Sequence, residues 1–201
     1  MKRGEREYSS TFNRLTVDGF VPEQNLQFRS KVAVCEKGKR YALATAEGQD
    51  SVVYAVDGYI VKDGLRCDKL VLVRRTQEGR IPENWSEIFV ELKGTDIEHA
   101  IAQLRATLSK PLFRHPANDD IRARIVAQSF PAHKSDLKME KAKKEFRQNY
   151  DCDLRGMKTG QEEKLWFGGP LLYCSQPLYR PHIFYLEAKM KIKRLILRIY
   201  Y

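Results

Sequence analysis

Glu91, Leu92 and Lys93 follow the apolar run Ile88-Phe89-Val90 and lead directly into Gly94. In an extended strand the side chains alternate, so Glu91 and Lys93 share one face and Val90 and Leu92 the other. A second acid, Asp68, opens the run Asp-Lys-Leu-Val-Leu-Val in the hairpin just upstream. If the two strands pair antiparallel, an acid at the start of one converges with an acid near the end of the other, and Lys93 stands beside them. Two carboxylates and one ammonium suit the hydrolysis of a phosphodiester. The carboxylates hold a divalent cation that offsets phosphate charge, lowers the pKa of a water and orients both reactants. The ammonium assists activation of that water or stabilises charge developing in the transition state. A plain ion pair at a sheet edge would account for Glu91 and Lys93, but it has no use for Asp68.

Such side chains need strands to carry them. Lys31–Ala46 has strand-like apolar runs on either side of the turn-prone Lys37-Gly38-Lys39. Ser51–Val61 is rich in β-branched and aromatic residues and reads as a strand, Lys62-Asp63-Gly64 as a hairpin turn, and Cys67–Arg75 as the returning strand. A loop punctuated by Gly79 and Pro82 then leads to the strand Ile88–Gly94. Thr95 and Glu98 have the spacing of a capping box, and Ile97, Ile101, Leu104 and Leu108 form one apolar stripe, which predicts a helix ending near Pro111. Ile121–Phe130 alternates as a strand, Ser135–Tyr150 reads as a basic helix, and a short helix is expected within Arg6–Leu15. This order of elements predicts an α/β fold, a mixed central sheet flanked by helices. After Trp166 the texture turns aromatic and basic, with Glu187 the one remaining acid. The expected organisation is a domain over 1–156, with its core at about 50–150, and a C-terminal appendage over 157–201.

On the residues Asp68 in Arg-Cys-Asp-Lys-Leu-Val-Leu-Val and Glu91-Leu92-Lys93 in Phe-Val-Glu-Leu-Lys-Gly, the chain resembles the PD-(D/E)XK nuclease superfamily. That group includes restriction endonucleases and archaeal Holliday-junction resolvases. The likeness covers roughly residues 50 to 130, and Cys67 stands where the motif's proline would be. It implies an αβββαβ core of restriction-endonuclease type and a magnesium or manganese ion held by Asp68 and Glu91. The carbonyl of Leu92 would add a ligand, and Lys93 would be the catalytic lysine. A glutamine in the next helix supports the site in several branches, and Gln103, ten residues past Lys93, is its match. A further acid on the first helix is also implied, with Glu5, Glu7 and Glu23 as candidates, and Asp57 competes with Asp68 for the cation. Many relatives of this fold act as dimers, so the resemblance leaves room for a homodimer.

The 201 residues carry a net charge of +10, which favours a polyanionic partner, nucleic acid above all. At 42% hydrophobic and 31% charged the composition is that of a globular chain, not a disordered one. Cys35, Cys67, Cys152 and Cys174 show neither zinc-finger spacing nor a disulfide framework. The N-terminus lacks a signal-peptide core and no apolar window is long enough to span a bilayer, so the expectation is a reducing, cytoplasmic protein and not a membrane one. Lys138, Lys141 and Lys144, with Lys143 and Arg147, lie around the basic helix and offer salt-dependent contacts to phosphates, or simply a solvated face. Arg122 and Arg124 share a strand face, either to bind phosphate or simply as exposed positions on a half-buried strand; His99 and Gln103 share a helix face, while His115, His133 and His182 sit in loops without partners at ligand spacing. The leading expectation is a magnesium-dependent nuclease acting on DNA, with RNA second. The competing one is a non-catalytic nucleic-acid-binding or assembly module on the same fold, and a third reading places the basic tail on an anionic membrane surface.

Overall fold

Lys69–Arg74 and Trp85–Leu92 are buried at nearly every position, the pattern of strands covered on both faces, and they form the centre of a sheet that has seven strands among the described residues. The computed structural model describes residues 8–75, 84–92, 96–128 and 137–165. In chain order these form α1 (Thr11–Val17), β1 (Gln24–Glu36), β2 (Lys39–Ala55), β3 (Lys69–Arg74), β4 (Trp85–Leu92), α2 (Ile97–Leu108), a 3-10 turn (Pro111–Phe113), β5 (Asn118–Ala127), α3 (Leu137–Tyr150), β6 (Cys152–Lys158) and β7 (Glu162–Leu165). The sheet runs β1-β2-β3-β4-β5-β6, with β7 added to β2. Neighbours from β1 to β4 are antiparallel, whereas β4, β5 and β6 are parallel. Each parallel step needs a crossover, and α2 and α3 supply the two. The fold is α/β with a mixed sheet and helices, as the order of elements predicts.

Strand alternation divides the apolar residues between two clusters. Leu70, Leu72, Trp85 and Phe89 pack with Ile97, Ala100, Ile101, Leu104 and Leu108 of α2 and with Met139, Ala142 and Phe146 of α3. Val71, Val73, Ile88, Val90 and Leu92 face the other way and meet Val32, Val34, Tyr41, Leu43 and Leu165. That second cover is the sheet itself, curled back. β2 is 17 residues long, and its Ser51–Ala55 end pairs with β3 while Ala42–Thr45 pairs with β7. Between the two ends the register with β1 slips, since Arg29 faces Gln49 but Lys31 faces Ala44. Gly48, at φ +76°, supplies the backbone conformation this bend requires.

Several expectations are corrected. The strand expected over 51–61 ends at Ala55, because Val56 and Gly58 turn back onto Val61 through two backbone hydrogen bonds. β1 starts at Gln24, well before Lys31; its first half is a largely exposed edge in which Leu26 and Phe28 alternate with polar residues and stay exposed. The cap of α2 is Asp96, whose carboxylate accepts from the His99 N–H, so the helix begins one residue later than a Thr95 cap would set it. Glu98 pairs with Lys138 on α3. The boundary expected at residue 156 falls inside β6, and the sheet continues to Leu165 because β7 closes onto β2. Among the described residues no helix is long and apolar enough to cross a membrane. Lys93, Thr95, Glu5, Glu7, His133, His182 and the segment 166–201 lie outside the described residues.

Candidate active site

β3 and β4 pair antiparallel with Lys69 opposite Val90. One further step of that register sets Asp68 opposite Glu91, so both point to the same side of the sheet, the side carrying α2. The contact is direct: the Leu92 N–H donates to Asp68 Oδ2 at 2.6 Å. Asp68 is 9% exposed and Glu91 only 1%. Burial pushes the Asp68 carboxyl above its usual range; the Leu92 N–H opposes this, the carboxylates of Glu36 and Asp57 add to it, and Lys37 pulls the other way. Cys67, buried, is the residue directly ahead of Asp68. Its thiol is pushed up first by burial, against the Thr107 hydroxyl, and the charges of both Glu91 and Asp68 add to the rise.

The segment that carries Asp68 is pinned from α2. Gln103 Nε2 donates to the Arg66 carbonyl at 2.8 Å, and Thr107, one turn on, accepts from the Cys67 N–H at 2.9 Å. From below, the Val56 N–H donates to the Asp68 carbonyl at 2.9 Å. α2 can do this because its apolar stripe is anchored in the core and leaves Gln103 and Thr107 turned towards β3. Gln103 therefore touches the backbone just ahead of the aspartate and positions it. His99, four residues earlier, is exposed.

Asp57 is half exposed and bonded to Arg66 Nε, while Asp68 touches the backbone of β4; of the two rivals, Asp68 is the one that meets Glu91's strand. Glu23 spends its carboxylate on Lys69 Nζ at 2.7 Å. Lys69 follows Asp68 and so leaves the strand on the opposite face, which separates Glu23 from the acid pair. Leu92 sends its side chain into the second apolar cluster and offers only backbone to the site. Lys93 lies outside the described residues. Among the described residues no three His, Cys, Asp or Glu side chains gather into a metal-binding group. The donors that do meet are all oxygen: two carboxylates, next to strand backbone. That set suits a hard cation such as Mg2+, which keeps several waters and takes one or two carboxylates.

The other candidates separate. On α3, Lys138 pairs with Glu98 and Lys143 with Glu140, and a groove of about 400 Å3 between α2 and α3 is lined by acids and bases alike, Lys138 and Lys141 included. Lys141 and Lys144 are exposed. Arg124 is fully buried, which corrects its reading as an exposed strand residue. Its guanidinium grips Glu163 through two bonds of 2.8 and 2.6 Å and also meets Asp153 at 3.0 Å. Tyr41 adds its hydroxyl to Glu163 at 2.8 Å, and Arg122 reaches both Glu163 and Asp120. These arginines are committed inside the fold. His115 is likewise half buried, joined to the Tyr8 carbonyl at 2.7 Å and accepting from the Ala117 N–H.

Sequence reasoning missed Glu87. It is fully buried on the same face of β4 as Glu91, and Asn118 donates to its Oε2 at 2.7 Å and to Thr11 Oγ1 at 2.6 Å. Oε1 has no partner, and burial raises the carboxyl well above the glutamate range, with Asn118 opposing. The signal was present in the alternation Trp85, Glu87, Phe89, Glu91, which puts two acids on the apolar, helix-facing side. No family model, no curated protein and no solved structure matches this chain.

Proposed function

We propose that this chain is a metal-dependent phosphodiesterase acting on nucleic acid, DNA first, with Asp68 and Glu91 as ligands of Mg2+ or Mn2+. The observation that carries the reading is the opposition of two buried carboxylates across β3 and β4, with Asp68 fixed on the Leu92 N–H. Two like charges in one buried place oppose each other's ionisation, and a cation between them removes the conflict. With β1 taken as an addition ahead of the core, the succession α1, β1, β2, β3, β4, α2, β5, with α2 crossing to a parallel strand, supports a restriction-endonuclease-like core.

A bound divalent cation would offset phosphate charge and supply a water of lowered pKa. The protein's own groups do the rest. Leu92 holds Asp68 Oδ2 and leaves Oδ1 for the cation. Gln103 and Thr107 keep the 66–68 segment from drifting, which matters because small displacements of a ligand cost large factors in rate. The Leu92 carbonyl completes the oxygen set. Lys93 either assists deprotonation of the water or stabilises charge on the phosphate oxygens. A second reading, nucleic-acid binding without turnover, is favoured by one observation: among the described residues two acids meet, not three.

The test is calorimetric titration of Mg2+ or Mn2+ into wild type, Glu91→Gln and Lys93→Ala, with cleavage of single-stranded, duplex and branched DNA followed in parallel. Glu91→Gln is expected to lose both cation binding and cleavage, and Lys93→Ala cleavage alone. A wild type that binds DNA equally well with or without chelator, and never cuts it, selects the second reading.

A further inference from the structure

β1 closes one edge of the sheet. Among the described residues it pairs with β2 alone, so among these the outer side of the 13-residue strand joins no ladder. Such an edge is a template for another strand, and sheet proteins guard it with charge, proline or brevity. Residues 24–30 do little of this. Their one ionic group, Arg29, is spent within the hairpin: its guanidinium donates to Gln24 Oε1 at 2.8 Å and to the carbonyls of Asn25 and Ser51 at 2.5 and 3.4 Å. Two large apolar side chains stand there instead, Phe28 at 66% exposed and Leu26 at 36%. Phe28 lies opposite Asp50, whose carboxylate meets Arg74, and Arg74 lies over the Trp85 ring, so Phe28 is on the helix-bearing side of the sheet. The bulge in β1 falls between Gln24 and Gln27, and Leu26 and Phe28 flank Gln27 on the side opposite its own. The Phe28 ring is seated on backbone below, since a Cβ at Gly48 would come within 2.7 Å of it, and is left open above.

Outward from Gln27 the strand complements itself. A two-fold axis at Gln27 pairs two copies of β1 antiparallel, with Gln27 opposite Gln27, Leu26 opposite Phe28 and Phe28 opposite Leu26. Each large apolar residue then gains a cross-strand partner, and the next step outward sets Asn25 opposite Arg29, so no charge meets a like charge. Other registers do worse. An axis at Ser30 would put Arg29 opposite Lys31, and an axis at Phe28 would put Leu26 opposite Ser30. The net charge of +10 sets two copies against each other, and a contact without outward charge keeps that cost small. An unrelated extended peptide could fill the same ladder; the match of this strand to its own reverse is what selects a second copy.

We propose that the edge of β1 is a self-association surface, through which two copies of this chain join their sheets about a two-fold axis at Gln27. Asp68 and Glu91 have no part in it, so the dimer and the proposed hydrolysis stand or fall separately. Sedimentation velocity of the full chain across the micromolar range is expected to show a monomer–dimer equilibrium. Phe28→Ser removes both Leu26–Phe28 pairs and is expected to weaken the dimer about thirtyfold, the upper value for two such pairs. Its melting temperature, read alongside, shows whether the fold is kept. Gln27 is exposed, so a charge there leaves the fold alone. Gln27→Lys and Gln27→Glu each set like charges opposite each other and are expected to weaken the dimer about fivefold. An equimolar mixture of the two sets lysine opposite glutamate and is expected to associate at least as well as wild type. That rescue requires the residue to face its own copy, which the axis at Gln27 provides. A wild type that stays monomeric at every concentration overturns the dimer. So does a folded Phe28→Ser that associates like wild type, or a mixture of the Gln27 variants that associates no better than its components.

Discussion

Asp68 and Glu163 are each 9% exposed, and burial drives both carboxyls upward, yet they end on opposite sides of the ordinary carboxylate range. At Glu163 the bonds and charge of Arg124, the hydroxyl of Tyr41 and the charge of Arg122 overturn the effect of burial and hold the group low. At Asp68 the Leu92 N–H and Lys37 oppose burial, Glu36 and Asp57 reinforce it, and the group stays high. One region closes its own electrostatics with arginine. The other meets its acid with a backbone N–H, that of Leu92, and not with a guanidinium. Equally buried carboxylates are thus driven in opposite directions according to what meets them, two arginines at one and a single backbone N–H with like charges nearby at the other.

The largest effect is expected where that closure is broken. Arg124→Ala would leave Glu163 and Asp153 without their buried cation and should cost about 3–5 kcal/mol in denaturant unfolding. A loss below about 1 kcal/mol would mean that the network is wet and that the contrast with Asp68 is not one of internal pairing. A smaller effect is expected at Gln103. Gln103→Ala releases the Arg66 carbonyl, and cation affinity and cleavage should fall about 10–100-fold, the range for a group that orients a ligand. Gln103→Glu, which cannot donate to that carbonyl, should behave the same way. If instead only the melting temperature changes while cation affinity holds, the residue is purely structural.

The smallest effect sharpens the comparison from a third buried acid. The native pKa of Glu87 lies above its unfolded value, so the folded state keeps its proton where the unfolded chain has lost it. Stability then falls as pH rises from the ordinary glutamate range towards the raised native value. Glu87→Gln keeps the shape without the ionisation, and its stability should lose that part of the pH dependence. A variant with the slope of wild type, measured by urea unfolding across this range, would show that the carboxyl titrates normally.

The acid pair was legible because it needs little beyond local pattern: two apolar runs, a turn between them, and the alternation that puts Asp68 and Glu91 on one side. The α2 stripe was legible for the same reason, since Ile97, Ile101, Leu104 and Leu108 repeat at helical spacing and all four are buried. Its cap was off by one residue, because Thr95 and Asp96 are both good acceptors and only the path of the chain chooses between them. The Arg124 network could not be read in advance. Tyr41 and Glu163 are 122 residues apart, and β7 carries too little apolar rhythm in Glu-Glu-Lys-Leu to announce that it joins β2. Arg124 in turn looked solvent-facing because strand alternation says which residues share a face, not what covers it.

β2 belongs to both sides of the molecule at once. Val52 and Tyr54 sit under the helices, while Tyr41, Leu43 and Val53 line the opposite cluster, all on one unbroken backbone. Peeling that strand from β3 removes the platform of the acids, and the same pull takes from β7 the strand it pairs with. The two layers are therefore mechanically coupled, and trimming the molecule by deleting its first hairpin would dismantle the part meant to be kept.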